Sequence, residues 1–211
     1  MLHSSHHGSN LEITVHSCHN LDDVERFGQN DAYVRLGFQL KKTDDFQKTI
    51  IKKGKNPSWE QIVVLRDLRP EYENLYVEVM DEEKGTDEII SYCAIPLSQI
   101  YSHQDQRCSA KFALFTPKSA QKGEISLTIR VLPLGQEAGS ALTYEGSEKK
   151  GISKLDPEHE KRVKTLKLKE SAEDAIKVAG TAAAVGAAVY GLFGDKKKAE
   201  GEKRDAALGQ H

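Results

Sequence analysis

Strict alternation of apolar and polar residues marks several short stretches of the chain. Leu11, Ile13 and Val15 alternate with Glu12, Thr14 and His16, and Ile125, Leu127, Ile129 and Val131 alternate with Ser126, Thr128 and Arg130. Leu75, Val77 and Val79 repeat the pattern more briefly. A period of two predicts antiparallel strands with one face buried and the other solvated. Further strands are predicted near residues 32–38, 46–52, 59–65, 90–96 and 111–115, which brings the number to eight. Short strands separated by turn chemistry argue for an all-β sandwich over residues 11–132.

The pattern changes on both sides of that region. Residues 1–10 are mostly Ser, His and Gly and read as a disordered leader, with no apolar signal region. Residues 133–156 are rich in Gly, Ser, Glu and Lys without periodicity and read as a linker. Asp156-Pro157-Glu158 then predicts a helix start, with Asp as N-cap and Pro at the first helical position. The helix is expected over 157–194. Its first part is charged and mostly solvated, with Val163, Leu166 and Ile176 as sparse apolar points. The second part, 178–194, carries no charge, and Gly180, Ala184 and Ala188 fall four apart. Small residues at that spacing allow close helix approach, so this segment is a candidate for self-association or membrane attachment. A polar, disordered tail is expected over 195–211.

A net charge of −2 with 29% charged residues gives no global bias towards nucleic acid, and the lysines are not interleaved with aromatics. Cys18, Cys93 and Cys108 are widely spaced, which suits reduced, structural thiols in a cytosolic compartment. There is no Gly-rich phosphate loop, no metal-type His/Cys spacing and no nucleophile motif. The expectation is therefore a binding module and not an enzyme.

The candidate chemistry lies in two acidic stretches at the ends of predicted strands. Residues 21–36 carry Asp22, Asp23, Glu25 and Asp31; residues 75–97 carry Asp81, Glu82, Glu83, Asp87 and Glu88. Crowded carboxylates repel one another unless a hard cation lies between them, and calcium accepts six to eight oxygen ligands in loose geometry.

Three motifs carry a family resemblance. Asn20-Leu21, Gly28 and Asp31-Ala32-Tyr33-Val34 resemble the first calcium loop of a C2 domain. Lys55-Asn56-Pro57-Ser58-Trp59 resembles the family's Asn-Pro-x-Trp turn, and Val77-Glu78-Val79-Met80-Asp81 followed by Ile89-Ile90 resembles its third loop. The resemblance implies an eight-stranded antiparallel C2 β-sandwich of type II topology, with 124–132 as the closing strand. It also implies Ca2+ ligands at Glu25, Asp31, Asp81, Glu83 and Glu88, with Asp87 able to serve in place of Glu88 because the third loop is one residue short. Only Asp31 and Asp81 keep the family's usual Asp.

The implied partner is a membrane bearing anionic phospholipids, met in the cytoplasm as a peripheral contact. Arg26 and Phe27 in the first loop are candidate lipid contacts, as are Lys48, Lys52, Lys53 and Lys55 around the third strand. The predicted fourth strand has no lysine, so the family's phosphoinositide pocket does not carry over intact. The competing expectation is a calcium-independent adaptor that uses its sheet faces or its helix.

Overall fold

The protein was analysed as a computed structural model that describes residues 8–24, 28–139 and 149–179, with side chains described as far as residue 172. Its strands are β1 (Ser9–His19), β2 (Asp31–Gly37), β3 (Gln47–Lys48), β4 (Lys52–Lys53), β5 (Ser58–Leu68), β6 (Asn74–Asp81), β7 (Glu88–Pro96), β8 (Arg107–Phe115) and β9 (Gln121–Leu132). The α-helices are α1 (Ser98–Tyr101), between β7 and β8, and α2 (Pro157–Ala179), after β9. The chain divides into two compact units, 1–165 and 166–211.

All strand pairs are antiparallel, in the order β3-β2-β6-β7-β8-β9-β1-β5, with β4 also on β2. A single bridge, Tyr92 to Phe115, joins β7 to β8 and marks the seam between the two sheets of the sandwich. β9 pairs with β1 along its length, from Asn10–Leu132 to His19–Glu124, the connectivity expected of the closing strand. Between the sheets lie the inward residues of every long strand, among them Leu11, Ile13, Val34, Leu36, Val77, Phe112, Leu127 and Ile129. Cys18, Cys93 and Cys108 are buried free thiols. Burial pushes all three pKa values up and leaves them as small apolar fillers.

Two features depart from the alternation rule. The strand predicted at 46–52 is broken, so among the described residues nine strands stand where eight were expected. Thr49 holds β2 with its backbone and its hydroxyl: its N–H donates to the Val34 carbonyl at 2.9 Å, and Val34 N–H donates to Thr49 Oγ1 at 3.0 Å. Ile50 turns its backbone away, towards β5. Its N–H donates to Gln61 Oε1 at 2.8 Å, and its carbonyl accepts from Trp59 Nε1 at 2.8 Å. Side chains of β5 thus replace ladder bonds, and the strand is interrupted.

The second departure is that most polar positions of the alternating strands are buried, among them Glu12, Thr14, His16, Ser126 and Thr128. Glu12 is covered by a two-point contact from Arg130, at 2.6 and 2.9 Å, and also accepts from Gly139 N–H. His16 lies between Glu60 at 2.7 Å and Thr128 at 2.9 Å. On the outer face of β2, β6 and β7, the side chains of Tyr33, Met80, Ile89 and Tyr92 pack with Val163 of α2. The first turns of this helix are therefore not solvated as expected, since His159 and Val163 are completely buried. Its start is capped by Asp156 Oδ1, which accepts from the N–H groups of Glu158 and His159 at 3.1 Å each. Glu78, on β6, is the anchor. Its buried carboxylate receives Arg35 at 2.6 Å, His159 at 3.0 Å and Arg162 at 3.1 Å.

Candidate functional site

β2 begins and β6 ends at the same pole of the sandwich, because Ala32 and Asp81 are ladder partners. This register brings two acids fifty residues apart together: Asp31 N–H donates to Asp81 Oδ1 at 2.6 Å, and Glu82 N–H returns to the Asp31 carbonyl at 3.0 Å. Asp81 is fully buried, while the Asp31 side chain keeps 35% of its surface exposed. Glu88 stands opposite Asp81 across the β6–β7 ladder. Of the expected ligands, Asp31 and Asp81 are therefore adjacent, with Glu88 across the ladder.

Asn30, which is buried, ties the two sides of the first loop together. Its side chain donates to the Asp22 carbonyl at 2.7 Å and accepts from Val24 N–H at 3.2 Å. The neighbouring turns lock to it: Gly54 N–H donates to the Asn30 carbonyl at 2.8 Å, and Leu21 N–H to the Lys55 carbonyl at 3.1 Å. Gly123 lies against this loop with φ +77°, and a Cβ there would lie 2.9 Å from the carbonyl oxygens of both His19 and Asn20. Only glycine satisfies both conditions. Glu25, Arg26 and Phe27, expected as one ligand and two lipid contacts, lie outside the described residues.

Other expected ligands are placed differently. Asp87 turns to the outer face, where its Oδ2 accepts from Tyr33 OH at 2.6 Å and its Oδ1 from Glu83 N–H at 3.2 Å. Burial and then this carboxylate push the Tyr33 phenol pKa well up. Glu83 is exposed at the loop tip. Among the described residues no group of three or more His, Cys, Asp or Glu is drawn together as a ready metal cage.

Sequence reasoning missed what neutralises these acids. Lys53 Nζ lies 3.1 Å from Asp31 Oδ1, Lys55 Nζ lies 3.0 Å from Asp23 Oδ2, and Lys122 bonds Asp22. The Lys122 hydrogen bond holds the Asp22 carboxyl below its usual range. Lys53 and Lys55 were expected as lipid contacts around the third strand, and they are ion-pair partners at the acidic pole. Lys53 carried a readable signal, because β4 pairs with β2 opposite Asp31. Lys122 carried none, since only the fold brings the start of β9 to the first loop. Of the remaining expected contacts, Lys48 holds its ammonium 5.4 Å from the Tyr33 ring, and Lys52 is exposed.

Comparison with known proteins agrees with this architecture. The family model described as C2 domain matches residues 9–112. Tricalbin-2 of Saccharomyces cerevisiae is 30% identical over 125 residues, covering 58% of this chain and 10% of that protein. A calcium-dependent lipid-binding protein of Arabidopsis thaliana is 25% identical over 181 residues, covering 83% of this chain and 34% of its own. The chain thus spans between a tenth and about a third of the length of these curated relatives. Among solved structures, a C2 domain of plant Extended Synaptotagmin 1 superposes with a TM-score of 0.51 at 18% identity, covering 61% of this chain and 97% of that one. The matched residues, the antiparallel sandwich and the closing of β9 on β1 agree: the chain carries a C2 domain.

Proposed function

We propose that this protein is a peripheral membrane-binding module, not an enzyme, that docks on anionic phospholipid through the pole bearing Asp31 and Asp81, with calcium as a weak co-ligand. The observation that carries the reading is the 2.6 Å contact between Asp31 N–H and Asp81 Oδ1, which sets two loop carboxylates side by side at one end of the sandwich. The relative named as a calcium-dependent lipid-binding protein supports the same direction.

The residues fit a hard cation. Their donors are all oxygen, and Lys53 already brings a positive charge to Asp31. Asp31 and Asp81 would hold the ion, with Glu88, Glu83 and Glu25 supplying further oxygens; Asp87 is engaged by Tyr33. Bound calcium would supply positive charge and open positions for lipid phosphate oxygens. Lys53, Lys55, Lys52 and Lys48 add attraction to an anionic surface, about 1 kcal/mol for each lysine that reaches it. Arg26 and Phe27 are further candidate lipid contacts, and the uncharged segment 178–194 would add a second weak attachment through effective concentration. No helix of the described residues is long and apolar enough to cross a membrane.

A second reading, calcium-independent binding by an adaptor, is favoured by the three lysines that already neutralise Asp31, Asp23 and Asp22. Sedimentation with phosphatidylserine vesicles separates the two. Calcium-enhanced binding that disappears in the D31N/D81N variant supports the first reading. Binding identical in calcium and in chelator, and unchanged in the variant, supports the second.

A further inference from the structure

Between β3 and β4 the chain presents two adjacent isoleucines to solvent, Ile50 with 57% and Ile51 with 39% of its surface exposed. Singly exposed apolar residues are ordinary; a contiguous pair in a rigid frame calls for a partner. The frame is rigid because Ile50 is bonded on both sides of its peptide: to Gln61 Oε1 at 2.8 Å, and from Trp59 Nε1 at 2.8 Å and Thr49 Oγ1 at 3.0 Å. These same bonds leave Ile50 no free N–H with which to template an added strand, so pairing of a peptide along this edge is blocked at its centre.

Charge identifies the occupant. From Gln47 to Trp59 the chain holds four lysines and no acid. Lys48 and Lys52 flank the isoleucine pair, and neither forms an ion pair among the described residues. Ammonium groups around an apolar projection match the layering of an anionic bilayer, with phosphates outermost and acyl chains beneath.

The geometry points to Ile50 and Ile51 as an apolar prong that enters the interfacial layer of an anionic bilayer while Lys48 and Lys52 meet lipid phosphates, a contact that requires no calcium. It rests on the membrane-docking reading and adds a second contact surface to it, along the edge strand that leads to Lys53 and the acidic pole.

The test uses the full chain, chelator, and phosphatidylcholine vesicles containing about one third phosphatidylserine. Replacing both isoleucines (I50S/I51S) lowers vesicle affinity about tenfold, ~1.4 kcal/mol, and leaves the salt dependence in place. K48Q/K52Q weakens binding and flattens its dependence on salt. Trp59 is the chain's single tryptophan and is bonded to Ile50, so brominated phosphatidylcholine quenches its emission in the unaltered protein, a readout independent of any variant. Unaltered protein that binds while I50S/I51S binds equally well and Trp59 stays unquenched overturns the prong alone. Unaltered protein that binds no vesicle, with or without calcium, overturns the membrane-docking reading along with it.

Discussion

Glu78 gives the sharpest prediction about what holds the described fold together. Its side chain is inaccessible to solvent, and two arginines and a histidine converge on it: Arg35, Arg162 and His159. Burial alone would raise its pKa, but hydrogen bonding to His159 and the charges of Arg35, His159 and Arg162 outweigh that and hold it at about 2. Against the ordinary value of 4.5 this corresponds to about 3 kcal/mol of folding free energy, at ~1.4 kcal/mol per pKa unit. The folded pKa lies below the unfolded one, so the unfolded chain takes up this proton first as pH falls. The stabilisation is therefore complete above about pH 5 and lost on the descent to about pH 2.

Glu78→Gln removes the anion and leaves the half-buried Arg35 and Arg162 without it, which costs about 3 kcal/mol at neutral pH. Urea unfolding of both proteins across this pH range measures the difference directly. The gap between them should shrink by about 3 kcal/mol from pH 5 to pH 2 as the unaltered Glu78 protonates. A gap that stays constant with pH, or a Glu78→Gln variant as stable as the parent at pH 7, would refute the reasoning.

Two other substitutions test the acidic pole. Lys53→Gln removes the cation that stands on Asp31, so calcium affinity should rise about twofold to fivefold by calorimetry; weaker calcium binding would contradict competition for Asp31. Gly123→Ala places a Cβ against two carbonyl oxygens at φ +77° and should cost about 2 kcal/mol in thermal unfolding, with a neutral result contradicting the close approach.

Much of the sandwich was legible in the sequence because its strongest signal is local. Alternation over 11–15 and 125–131 names the inward residues of β1 and β9 directly, and Asp156-Pro157 marks the beginning of α2. The pairing of Asp31 with Asp81 was legible through motif order. Long-range polar pairing was not. Glu12 and Glu78 occupy the outward phase of alternating strands and read as solvated, yet Arg130 covers one and α2 covers the other. Nothing local distinguishes a wet glutamate from one whose partner arrives 84 or 118 residues later. The break in the strand at 49–51 was hidden for the same reason, since side chains of β5 and not any turn residue draw Ile50 out of line.

The proposed sharing of one ion by two distant loops can be tested residue by residue. Amide resonances of the isotopically labelled protein, followed as calcium is added at fixed salt, report on Asp31, Ala32, Asp81 and Glu82 separately. Those four should move together with one shared midpoint, while amides at the opposite end of β2 and β6, near Gly37 and Asn74, stay still. Resonances of Asp31 and Asp81 that ignore millimolar calcium, or that respond with unrelated midpoints, would contradict a shared site.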